Sequence, residues 1–102
     1  MSNITQARQA LVARILEGTG EAPQSQRRAA FDNTGLTGAL ATLIDKVAKH
    51  AYRVTDADVA AVRASGLTED QIYEVVVCAA VGEATRQLDA GLAALAAASE
   101  RR

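Results

Sequence analysis

The stretch Leu67-Thr68-Glu69-Asp70-Gln71-Ile72-Tyr73-Glu74-Val75-Val76-Val77-Cys78-Ala79-Ala80-Val81 decides the fold class of this chain. Thr68 stands three residues ahead of Gln71, two acids lie between them, and Leu67 and Ile72 flank the group. That is the grammar of a helix start. Thr68 caps the first turn and Gln71 returns the bond, while Leu67 and Ile72 close a hydrophobic staple. Glu69 and Asp70 meet the positive end of the helix dipole. Beyond Glu74 the run is apolar nearly all round, which predicts a helix buried on most sides.

Downstream, that helix is expected to run almost to the end of the chain, with a frayed tail over Ala96–Arg102, and to carry two apolar faces. At 100° per residue, Ile72, Val76, Ala79, Glu83, Arg86 and Ala90 line one side. Val77, Val81, Ala84, Leu88, Leu92 and Leu95 line another. One small bundle covers one such stripe; a partner subunit is the simplest cover for the second. Upstream, Val54-Thr55-Asp56-Ala57-Asp58-Val59 repeats the capping device. It predicts a short helix over Asp56–Ser65, closed by Gly66 in the position that favours a left-handed residue. A further helix over Leu36–Ala51 carries Leu36, Leu40, Leu43, Ile44, Val47 and Ala51 on one face, with Asp45 and Lys49 paired opposite. The first helix spans Thr5–Glu17, its stripe made by Ile4, Leu11 and Ile15 with Ala7 and Val12 beside them. Between them, Gly18–Gly35 reads as a long loop arm with one turn at most near Gln26–Phe31, Phe31 its anchor and Arg27-Arg28 solvated.

The expected architecture is therefore a single all-α domain over residues 1–102, a small four-helix bundle that assembles as a homo-oligomer. Composition agrees. Alanine fills 23 of 102 positions and only Phe31, Tyr52 and Tyr73 are aromatic, which favours helix and buries little area per side chain. A net charge of −1 offers no electrostatic footprint for nucleic acid or a membrane surface. No apolar run approaches a bilayer span and no secretory pattern opens the chain, so a cytoplasmic protein is expected. One cysteine, Cys78, excludes an intrachain disulfide and a cysteine zinc cage. No cofactor or metal motif is present in the sequence.

Five residues are candidates for chemistry. His50, the single histidine, is either a helix-terminal cation facing the last carbonyls or a general acid/base at a pocket mouth. Glu83 and Arg86 turn an apolar face charged; they form either an exposed ion pair or a desolvated pair tuned for proton transfer. Cys78 is either a small buried hydrophobe or a low-pKa thiol. Tyr52 either donates to a ligand or closes its loop. Gly82 and Gly91, costly inside a helix, point to close helix approach.

The segments Lys46–Val59, Ala64–Val76 and Ala79–Gly82 together resemble the alkylhydroperoxidase D-like superfamily, which includes the carboxymuconolactone decarboxylases. Its recurring small-Gly-Leu-Thr-acid turn before an apolar helix is matched by Ser65–Ile72, and the likeness covers residues 36–95. Thiol peroxidases of this group carry a Cys-x-x-Cys and a downstream His; here those places hold Ala51, Val54 and Asp58, so dithiol chemistry is not implied. The resemblance implies instead a decarboxylase-like enzyme acting on a small carboxylated molecule in a cleft between the second and last predicted helices. His50 would be its acid/base, Arg86 its carboxylate anchor and Glu83 the partner of Arg86, with Tyr52 beside the ligand. A monothiol redox protein using Cys78 and a non-catalytic binding or scaffold subunit of the same fold are the two alternatives.

Overall fold

The computed structural model describes residues 2–101. Five helices follow one another: α1 (Ser2–Glu17), α2 (Gln24–Asp32), α3 (Gly38–His50), α4 (Asp56–Ala64) and α5 (Glu69–Glu100), with a 3-10 turn at Ala51–Arg53. No strand occurs among the described residues. The two capping predictions hold. Thr55 Oγ1 accepts from the Asp58 N–H while Asp58 accepts from the Thr55 N–H, and Thr68 and Gln71 repeat the exchange. Gly66, at φ +114° directly after the C-cap Ser65, ends α4.

The bundle has five helices rather than four because the Gly18–Gly35 arm is helical at its centre. α2 starts after Pro23, whose fixed φ of −58° suits a helix entrance, and closes on Asn33 in the left-handed region. Its buried face is Arg27, Ala30 and Phe31, a stripe with an arginine in it, which hides the helical period from a hydropathy reading. α2 packs on α5 more extensively than any other pair of elements.

The core gathers Leu16, Phe31, Leu40, Leu43, Ile44, Val62, Ile72, Val75 and Cys78 around the first half of α5. All four other helices touch α5. Its buried positions, Ile72, Val75, Cys78, Ala79 and Gly82, recur at helical spacing and then stop. From Arg86 to Arg101 every residue is exposed. The last turns stay helical to Glu100 where the sequence predicts fraying. At 1.5 Å per residue this 32-residue helix accounts for most of the 55 Å long axis of a molecule 29 × 20 Å across.

α1 departs from its predicted packing. Ile4 and Leu11 are 66% and 48% exposed, and the residue that enters the core is Leu16. Only the C-terminal end of α1 is seated, with Val12 and Ile15 half-buried against the core. α1 runs antiparallel to α5, since the Ile15 carbonyl accepts from Cys78 Sγ (3.5 Å) and Arg8 pairs with Asp89 (2.6 Å).

Candidate functional site

Polar joints hold both ends of α2 to its neighbours. At the N-terminal end, Glu74 of α5 accepts from the Glu21 N–H with both carboxylate oxygens (3.0 and 2.8 Å) and from the Ala22 N–H (3.4 Å). Gln71, already in its capping box, donates to the Glu21 carbonyl (3.2 Å). Arg27 is 5% exposed, contrary to the solvated reading of the Arg27-Arg28 pair. Its guanidinium donates to the carbonyls of Ala22 (3.1 Å), Ile15 (3.2 Å) and Gly18 (2.8 Å). It thus ties the carbonyl-rich end of α1 to α2 and offsets the negative end of that helix's dipole.

At the C-terminal end of α2, Arg86 Nη1 donates to the Phe31 carbonyl (2.6 Å), while its Nε and Nη2 hold Glu83 Oε2 (3.3 and 3.0 Å). One turn earlier Gly82 lies so close to the Phe31 carbonyl that a Cβ there would overlap it. Gly82 therefore allows the approach predicted for it, whereas Gly91 has nothing within 4 Å. Arg86 is a C-cap supplied by another helix. Of the two readings of Glu83 and Arg86, the geometry is that of a surface pair: their side chains are 28% and 41% exposed. The Arg86 hydrogen bond, with help from Gln87, holds the Glu83 carboxyl below its usual range, ionised at neutral pH.

The other candidates sit apart. His50, the last residue of α3, is exposed and meets Tyr52 edge-on, with ring centroids 6.0 Å apart. Tyr52 is 79% exposed and carries the Arg53 guanidinium 5.7 Å from its ring centre. Cys78 is fully buried; burial pushes its thiol above the ordinary range, against the pull of Arg27. The thiol is its neutral form at pH 7.

A cleft of about 730 Å³ opens between α1, the loop after it and the start of α5. Leu11, Ile15, Tyr73 and Val77 form its apolar wall, and Arg27 and Glu74 its polar floor. Those two charges are the joints already described. His50, Tyr52, Cys78, Glu83 and Arg86 line neither this cleft nor two smaller ones, of about 290 and 320 Å³, at α1–α2 and at α4–α5. Among the described residues no three His, Cys, Asp or Glu side chains gather as a metal ion requires, and no helix is long and apolar enough to cross a membrane.

The most unusual surface is the tip of the molecule. Leu88, Leu92 and Leu95 are 45%, 46% and 63% exposed, and none of Ala90–Ser99 carries a charge. α1 adds Ile4, brought level with this stretch by the antiparallel register of Ile15 with Cys78 and Arg8 with Asp89. Across residues 3–12 and 87–99 only Arg8 and Asp89 are charged, and they neutralise each other. Large apolar side chains on a helix face without charges are a surface built to be covered. The sequence signal for it is the second stripe of α5; the part played by Ile4 emerges only from the fold, because its own helix has the pattern of a core helix. Comparisons of the chain with protein-family models, curated proteins and solved structures give no match.

Proposed function

We propose that this chain is a non-catalytic helical scaffold subunit that works by self-association through the tip formed by α1 and the outer half of α5. The observation that carries the reading is the exposure of Leu88, Leu92 and Leu95 on a helix segment, residues 87–99, whose one charge, Asp89, is paired with Arg8. The chain exposes 6787 Å², against about 5,500 Å² for a compact monomer of its mass. The surplus of about 1,300 Å² exceeds the roughly 800 Å² that each partner contributes to an ordinary stable interface.

The decarboxylase-like alternative asks Arg86 to hold a substrate carboxylate. Its fork is already engaged by Glu83 and the Phe31 carbonyl. The monothiol alternative asks for a low-pKa, accessible sulfur, and Cys78 is buried with a raised pKa. The likeness to alkylhydroperoxidase D-like proteins is compatible with the scaffold reading, in which a related helical architecture serves without their chemistry.

Light scattering across a concentration series tests the reading. The expected mass is a multiple of 10.6 kDa, falling toward the monomer in Leu92→Glu and Leu95→Glu with helicity retained. A monomer at all concentrations up to hundreds of micromolar, or variants that associate as the wild type does, would remove it.

A further inference from the structure

Resting on that reading, we infer that the tip is covered by a second copy of this chain, packed antiparallel. The α1–α5 pairs of the two protomers then form a four-helix bundle that crosses at Gly91 and Leu92. The first ground is size. The surplus surface of the chain, about 1,300 Å², is enough for one protomer's share of an ordinary dimer, roughly 800 Å², with no need for a larger partner. The second is charge. A partner of opposite charge would call for a charged docking face, but the tip is neutral and its one ion pair is closed within the protomer. A neutral apolar face is self-complementary.

The direction follows from the placing of large and small residues. Leu88 and Leu95 stand seven positions apart, with Ala84, Gly91 and Ala98 at the same spacing as the intervening seam. Gly91 is costly inside a helix and nothing within its own protomer approaches it. It lies, with Leu92, midway between Leu88 and Leu95. Antiparallel pairing about this midpoint sets Leu88 level with the copy's Leu95 and Leu92 against the copy's Gly91, large facing small. Parallel pairing would oppose Leu92 to Leu92 and glycine to glycine. It would also align the negative ends of two helices and crowd together the two bodies, which lie at the inner half of each α5. In the antiparallel arrangement the bodies stand at opposite ends.

Single cysteines introduced in a Cys78→Ala background and oxidised to disulfides test the arrangement. Light scattering on the same samples reports association and circular dichroism reports folding. Leu92→Cys is expected to cross-link as a homodimer. Leu88→Cys alone and Leu95→Cys alone should cross-link several-fold less, because two copies of either position lie about 10 Å apart along the axis at 1.5 Å per residue, beyond disulfide reach. Mixing the two should restore the cross-link as a heterodimer. Strong homodimeric cross-linking at both Leu88→Cys and Leu95→Cys would show a parallel pair and overturn the inference while sparing the scaffold reading. A dimer by light scattering with no cross-link at any of the three positions would place the interface elsewhere and overturn both. A folded monomer at every concentration would also overturn both.

Discussion

Arg27 is the residue on which α1, α2 and the turn between them depend. A buried cation is tolerated only when its donors are used, and here three backbone carbonyls use them. Arg27→Met keeps much of the volume and leaves those carbonyls without their donors. Chemical denaturation should show a loss of roughly 1–3 kcal/mol, while Arg28→Met, at an exposed position, should be near neutral. Asp58 provides a pH signature. Its carboxyl is held below the ordinary range, first by the Lys46 ammonium (2.9 Å) and then by the Thr55 N–H. A carboxylate depressed in the folded state contributes stability that is present above the unfolded value, near 3.9. That contribution is lost as pH falls through the lower folded value. The melting-temperature gap between wild type and Asp58→Asn should therefore be widest near neutrality and close in acid. Neither Arg27 nor the Lys46–Asp58 contact is legible in the sequence as a pair. Arg27 meets only carbonyls, and Lys46 and Asp58 lie on different helices.

Among the elements, α5 is two helices in one. Its first half is a core helix, fixed at its start by the Thr68–Gln71 box and wrapped by all four neighbours. Its second half is exposed from Arg86 onward, with α1 beside it through the Arg8–Asp89 pair. The two glycines mark the difference, and substituting each by alanine should give shifts of opposite sign. Gly82→Ala places a methyl group against the Phe31 backbone carbonyl, which cannot rotate aside as a side chain would; a loss of roughly 1–3 kcal/mol is expected. Gly91→Ala meets open space. At dilutions where the chain is monomeric it should gain up to about 1 kcal/mol from helix propensity. Urea titrations of both variants, read by circular dichroism, check the pair. α2 makes the complementary point: Pro23 and Asn33 are visible boundary signals, but its content, Gln-Ser-Gln-Arg-Arg, has no apolar stripe to announce a helix. It is helical because Ala30 and Phe31 find α5 and because Arg86 caps its end.

At the scale of the whole molecule the shape is elongated. A radius of gyration of 15.6 Å compares with about 13 Å for a compact domain of this length, and the long axis follows α5 out past the core. The second apolar stripe was readable along Val77–Leu95 because helical periodicity is a local property of the chain. Its exposure was not, since that depends on where the remaining helices run out. The sequence by itself determined the all-helical class, the starts of α4 and α5 and the turn at Gly66. Each is set by side chains bonding their own backbone within a few residues, or by the conformational freedom of a single glycine. Only the tertiary structure decided that the arm is a helix, that Arg27 is interior, that Ile4 and Leu11 face outward and that Arg86 serves as a cap. Each of these depends on groups that different segments bring together, from 5 residues apart for Arg27 and Ala22 to 55 for Arg86 and Phe31. Hydropathy, which scores one side chain at a time, carries no record of which backbone carbonyl will lie opposite it.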